Sequence, residues 1–311
     1  MNNLSRVLKK YIDSNQYQGI EWIIKYKDKI YSDRIGYLDK EKKIKIKDDT
    51  VYRIWSMTKP IISIVTLQLI EENKIKFEDP INNFLPIFDN LKVLNYNSDS
   101  IEDVKNVEKM PTIKDLLLHT AGFSYNFLDD IVAKKYHDLE LFYSDHTTLK
   151  EEINLLSSIP LLYEPGTKWT YSVSVDVLAR IIEIVCNNSL EEVLKERIFT
   201  PLKMFNTSFS INNANNLMLS YHYDSISKKL CSPNVNPRYI SNYGYPLNNK
   251  KFSRGGIGLY STAKDYMAFA LMLQTGKTSN NNIIISTEML KKATMNQISS
   301  SFLPYQIKNF D

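Results

Sequence analysis

Cysteine is almost missing from this sequence: of 311 residues only Cys186 and Cys231 are thiols. Two cysteines cannot build a disulfide framework, so both are expected to stay reduced, as in a cytoplasmic protein. Histidine is scarce too, with four copies, and His119, His137, His146 and His222 show no metal-ligand spacing with one another or with the cysteines. Long apolar runs are also lacking. No stretch approaches the roughly 18 residues that a membrane span requires. The opening "MNNLSRVLKKYIDSNQYQG" has no apolar core ahead of a small-residue cleavage site, so it reads as a short amphipathic helix and not as a secretory signal. Nor does one sign of charge dominate. The 39 basic and 35 acidic residues leave a net charge of +4, spread along the chain without an arginine-rich stripe, which speaks against nucleic acid as a partner.

What is present is a composition 43% hydrophobic and 24% charged, enough for a large core in one broad domain or two closely joined ones. Two β-rich runs, Ile20 to Tyr26 and Ile30 to Gly36, flank a charged turn at Lys27 to Lys29 and predict a hairpin. From Pro60 to Asn73 apolar residues recur at helical spacing, until "KIKFEDPINNFLP" breaks the pattern with two prolines. The segment "TIKDLLLHTAGF" predicts a short helix stopped at Gly122, and a polar stretch from Asp138 to Lys150 separates it from the next. Beyond the turn "YEPGTKWTYS", the run "VDVLARIIEIVCNNSLEEVLKERIF" predicts two helices with a break near Asn187 and Asn188. Asn206 to Arg254 reads as loops. "GGIGLYSTAKDYMAFALMLQTGK" then gives a glycine-rich turn and another apolar helix.

The pattern Ser-x-x-Lys occurs three times, as Ser56 with Lys59, Ser225 with Lys228 and Ser261 with Lys264. Ser225 lies in a loop-like segment with no long helix to hold its lysine. Ser261 or Thr262 fits an N-cap for the helix that follows, since such oxygens accept the orphan N–H bonds of a first turn. Ser56 also sits where a cap belongs, but Pro60 suits a first helical turn and the helix behind it is apolar almost all round, hence buried. Positions three apart share a helix face. The Lys59 amine is therefore expected beside the Ser56 hydroxyl, where lost solvation lowers its proton affinity. Helix N–H groups near Ser56 would favour an adduct that turns negative.

"SMTKP", "DPINNFLP", "TIKDLLLHTAGF", "YEPGTKWTYSVSVDVLARIIE", "PLKMFNTSF" and "GGIGLYSTAKDYMAFALML" occur in the order and about the spacing seen in serine hydrolases related to class C β-lactamases and penicillin-binding proteins. From about Ile20 onward the chain resembles that family, and its esterase branch most. The resemblance implies that Ser56 is the nucleophile, Lys59 its lysine and Tyr171 the tyrosine opening the second motif. It makes Tyr171 the base, with Lys59 the cation that favours its phenolate. An acyl-serine then forms without histidine, metal or cofactor. Where related β-lactamases carry Tyr-x-Asn, this chain has Val173, as in the esterase branch. Tyr125 matches a second tyrosine lining the cleft in that branch. Gly255 and Gly256 are expected to allow close backbone packing before a helix and to border the substrate cleft.

No segment matches the family's third motif. "GKTS", Gly276 to Ser279, imitates Lys-Thr-Gly but follows a helix and precedes a polar run, as a loop does. The fold implied is α+β: an antiparallel sheet flanked by helices with a largely helical insertion, the sheet incomplete at the C-terminus. Residues 1–60 and 250–311 form the sheet part and 61–249 the insertion. An open sheet edge invites self-association or a partner chain. The expected activity is cleavage of small carboxylic esters. A β-lactamase or D-alanyl peptidase-like enzyme and a catalytically impaired binding protein are the alternatives. Among the remaining polar candidates, His119 reads as a backbone partner beside a helix stop and not as a base, and the pair Asp129 and Asp130 as a solvated helix cap.

Overall fold

The computed structural model describes residues 3–142, 147–211, 213–224, 226–231 and 253–302. The amphipathic opening forms a helix, Asn3–Asp13, that packs on a sheet strand. The expected hairpin is strands β1 (Gly19–Tyr26) and β2 (Lys29–Asp39), antiparallel and paired from Gly19 opposite Gly36 to Tyr26 opposite Lys29. Lys27 turns the chain with a φ of 53°. Strand β3 (Ile44–Lys45) adds to β2. The short strand β4 (Val51–Arg53) leads directly to Ser56. Two further pairs lie apart from this sheet: β5 (Lys92–Leu94) with β6 (Val104–Asn106), and β7 (His222–Asp224) with β8 (Lys229–Cys231).

Strand β9 (Tyr260–Thr262) then runs antiparallel to β4, with Val51 opposite Thr262 and Arg53 opposite Tyr260. This pairing joins the segment before Ser56 to the segment after Gly256, positions some two hundred residues apart in the chain. Helices and small antiparallel sheets together make the α+β class expected. The helix Ala263–Thr275 follows β9, capped by Thr262 and not Ser261, and packs back on β1.

The apolar helix Thr58–Glu71 is central. Ile61, Ile62, Val65 and Leu69 are wholly buried, and the helix packs against Ser174–Cys186, whose Val177, Leu178, Ile181 and Ile182 are equally inaccessible. Each such side chain contributes about 1.5–3 kcal/mol relative to exposure, so this pair of helices is a rigid base for whatever stands at its N-terminal ends.

Several local readings need correction. The helix Ile113–Leu118, begun by a Thr112–Asp115 capping box, stops at His119 with a φ of 59°, three residues before Gly122. Gly122 serves the following turn, where its missing side chain leaves room for the Tyr163 carbonyl. The helix Ile131–Asp138, capped by Asp130, precedes the polar stretch. Only the capping residue signalled it, because half of its eight residues are polar. The region predicted as loops after Asn206 includes the β7–β8 hairpin. Other readings agree with the structure. Asn187 adopts the left-handed conformation at the helix break, and Ser189 caps the next helix, Leu190–Leu194. Gly276 closes the Ala263–Thr275 helix, so "GKTS" lies in a turn. Among the described residues no helix is long and apolar enough to cross a membrane, and Cys186 and Cys231 are both free thiols. Ser225 and His146 lie outside the described residues.

Candidate active site

Ser56 occupies a single 3-10 turn, Trp55–Met57, that runs on into the buried helix. Trp55 is held at a φ of 46°, a backbone region that a bulky residue enters only under constraint. The constraint is visible on both sides. Trp55 packs against a cluster of Ile211, Leu217, Ile257 and Tyr260, the Ile54 N–H donates to the Leu259 carbonyl at 3.0 Å, and Tyr266 Oη donates to the Met57 carbonyl at 3.0 Å. Ser56 is thereby presented at the surface. Lys59, one turn further in, is only 7% exposed.

The three residues expected to carry the chemistry meet. Tyr171 Oη donates to Ser56 Oγ at 2.7 Å, and Lys59 Nζ lies 3.2 Å from the same oxygen. Tyr171 arrives from the loop ahead of the Ser174–Cys186 helix, held by a bond from the Val173 N–H to the Ser124 carbonyl at 3.1 Å. Val173 itself is fully buried, so the position where an asparagine amide would reach substrate is filled with core.

Burial pushes the Lys59 amine down to about 8, against the opposing pull of the Asp176 charge. The amine donates to the Gly256 carbonyl at 2.8 Å and stands 3.5 Å from Tyr125 Oη. It also lies 5.1 Å from the ring centre of Tyr125 and 4.6 Å from that of Tyr171, close enough for cation–π attraction when protonated. Burial raises the Tyr171 phenol above its usual value, the Ser56 bond lowers it in part, and the Asp176 charge raises it again. Burial therefore acts on the two groups in opposite senses, favouring a neutral amine at Lys59 and a neutral phenol at Tyr171.

Tyr125 stacks on Tyr171 with ring centres 5.5 Å apart and on Phe127 at 4.7 Å. These rings form an aromatic wall beside Ser56. Gly255 lies so close to the Ser174–Cys186 helix that a side chain would strike the Val175 carbonyl and Ala179. Gly256 faces the site, and there a side chain would meet Asp176 and Tyr125. His119 accepts the Ser172 N–H at 3.2 Å through Nδ1. Burial, together with the nearby Lys59 charge, pushes its imidazole down to about 3, so it stays neutral and structural, as expected. Asp130 accepts the Ala133 N–H at 2.7 Å and so caps its helix, but it is half-buried and also accepts the Ser124 hydroxyl, so the solvated pair expected is reduced to Asp129, which is exposed. Among the described residues no three His, Cys, Asp or Glu side chains gather as a metal set.

Sequence reasoning missed Asp176 and the pair Arg254 and Glu152. Asp176 is fully buried, and its Oδ1 accepts the Gly256 N–H at 2.9 Å. Arg254 Nη2 meets Glu152 Oε1 at 2.9 Å with both side chains almost wholly inaccessible. An acidic residue in a first helical turn is commonplace. The signal available was its place directly between the apolar residues Val175 and Val177.

The model of the family described as Beta-lactamase matches residues 4–301. The chain belongs to the Beta-lactamase family. As a Beta-lactamase-family member it is a serine hydrolase, consistent with the relatives found. It is 27% identical to "Esterase EstB" of Burkholderia gladioli, over 76% of this chain and 60% of that protein. It is 32% identical to "Lovastatin esterase" of Penicillium rubens, over 55% of this chain and 42% of the relative. Among solved structures, "EstCE1, a hydrolase with promiscuous acyltransferase activity" superposes with a TM-score of 0.77 at 25% identity, covering 92% of this chain and 74% of that one. The family's β-lactamase and penicillin-binding-protein fold is thus the fold of this chain.

Proposed function

We propose that the protein cleaves small carboxylic esters through an acyl-serine at Ser56, in a centre of Ser56, Lys59 and Tyr171. The observation that carries this reading is the convergence of two proton-handling groups on one exposed hydroxyl, at 2.7 Å and 3.2 Å. Neutral Lys59, roughly a tenth of the population at pH 7, takes the Ser56 proton as Oγ forms its bond to the ester carbonyl carbon. N–H groups at the start of the Thr58–Glu71 helix favour the resulting oxyanion. The carbon–oxygen bond to the alcohol then breaks. Tyr171 gives its proton to the departing alkoxide and is restored from the Lys59 ammonium. Water, activated in the same way, releases the acid.

The aromatic wall of Phe127, Tyr125 and Tyr171 suits an apolar substituent on the ester, and Gly256 borders the same cleft. Buried Val173 offers no amide to a lactam or peptide, which favours esters over the lactamase or D-alanyl peptidase reading. In this arrangement the site lies where the sheet-bearing parts, residues 1–60 and 250–311, meet the insertion of 61–249.

Incubation with a fluorophosphonate followed by intact-mass analysis should add one label, lost in Ser56→Ala. Hydrolysis of p-nitrophenyl acetate should exceed that of a chromogenic cephalosporin. A folded protein that takes no label would point to a binding protein, and preferential cephalosporin turnover to a lactamase.

A further inference from the structure

Asp176 stands in the first turn of the Ser174–Cys186 helix and has no part in the reaction described. It is wholly inaccessible to solvent. Oδ1 accepts the Gly256 N–H at 2.9 Å, while Oδ2 makes no well-formed hydrogen bond among the described residues, although the Gly255 N–H also acts on the carboxylate. A buried carboxylate left half unsatisfied is costly, and a fold retains one only where its charge is compensated or used.

The compensation leads to the site. Gly256 takes the Asp176 bond at its N–H and the Lys59 bond, at 2.8 Å, at its carbonyl. The residue has room for both because it lacks a side chain, whose first carbon would strike Asp176 Oδ2 and Tyr125 Oη. Ser56, Tyr125, Tyr171 and His119 also face Lys59. None of them carries negative charge near pH 7, and among the described residues Asp176 is the charge that holds the amine's proton affinity up. Burial raises the Asp176 carboxyl above its ordinary value, while the Gly256 N–H, Lys59, Arg254 and the Gly255 N–H pull it back down, and Asp176 repels Glu152, which Arg254 holds at 2.9 Å. The order Lys59, Asp176, Arg254, Glu152 is an alternation of charges buried between the site and the core.

We propose that Asp176 is the positioning residue of this site: its carboxylate fixes Gly256 so that the glycine carbonyl stays on the Lys59 amine, and its charge is the counter-charge of that amine. The inference rests on the reading of Lys59 as the acceptor of the Ser56 proton. It adds that the working pH of the acceptor is set from behind, by a group that never meets substrate.

Asp176→Asn tests this, because the amide keeps the shape and an acceptor for the Gly256 N–H but removes the charge. Losing a nearby negative charge disfavours the ammonium, so Lys59 must titrate at lower pH. Two readouts follow it: the NMR titration of the Lys59 ¹³Cε resonance, assigned by its loss in Lys59→Met, and the pH dependence of fluorophosphonate labelling at Ser56. The expected result is a fall of about one unit in the Lys59 midpoint, with the labelling limb moving the same way. An unchanged midpoint in a folded variant would overturn the proposal, since a merely structural role changes thermal stability and not titration. If wild-type protein is never labelled but the midpoint still falls, the hydrolytic reading fails and the role of Asp176 stands. If labelling occurs and the midpoint is unmoved, only the role of Asp176 fails. Should Asp176→Asn not fold, the wild-type Asp176 ¹³Cγ shift at pH 7 decides: a carboxylate supports the counter-charge, and a protonated acid overturns it.

Discussion

Ser56 and Lys59 are one helical turn apart, yet Ser56 is exposed and Lys59 only 7% so. That contrast has a measurable consequence. Burial brings the Lys59 amine to about 8, so kcat/KM for p-nitrophenyl esters should rise about tenfold per pH unit below pH 8 and level off above it. A rate that instead declined through pH 8 would return the base role to Tyr171. The same group leaves a mark on stability. A lysine whose folded value is depressed is penalised while protonated, and between about 8 and 10.5 the unfolded chain binds more protons than the native one. The contribution of Lys59 should therefore turn more favourable as pH rises through that window, a trend absent from Lys59→Met when urea midpoints are compared. At Gly256, substitution by alanine forces a methyl group against Asp176 and Tyr125. It should cost about 1–3 kcal/mol, read as a lower urea midpoint, and should slow labelling of Ser56 as well.

Elements position these side chains through their ends. Thr112, Asp130, Thr148, Ser189, Thr262 and Ser286 each accept an N–H from their helix's first turn, which is how short polar residues at run boundaries mark helix starts in advance. Thr148→Ala should destabilise the protein by about 1 kcal/mol, because Thr148 and Glu151 complete a reciprocal box. Chemical denaturation would measure it, with no change expected in the labelling of Ser56. The start of the Thr58–Glu71 helix is different. No side chain caps it, and the turn of Trp55 to Met57 ahead of it is held by β4, by Tyr266 and by the apolar cluster around Trp55. A helix could be read from "KPIISIVTLQLI", but the strained turn that presents its serine could not. That conformation is imposed by residues far along the chain.

At the scale of the molecule, closure is made by the pairing of β4 with β9 and by the bond between Arg254 and Glu152, a pair 102 residues apart. Arg254 precedes the two glycines of the site, so the ion pair anchors the same segment from its other end. Arg254→Met should lower stability by about 3–5 kcal/mol, because it abandons the Glu152 charge in the core. Thermal unfolding followed by circular dichroism checks the magnitude, and a change below about 1 kcal/mol would mean that the charge of Glu152 is met in another way.

Residue order alone settled the local features: the hairpin at Lys27, the helix that follows Ser56, the break at Asn187, a cap at Ser261 or Thr262, and the motifs that tied the chain to its family. These rest on interactions within a few positions, where spacing and side-chain chemistry suffice. Only the tertiary structure decided that Tyr171 reaches Ser56, that burial lowers the Lys59 amine and raises the Tyr171 phenol, and that Asp176 lies buried behind Gly256. Proton affinity and counter-charge depend on what surrounds a group in three dimensions. Those surroundings are assembled from segments that the sequence places over a hundred residues apart.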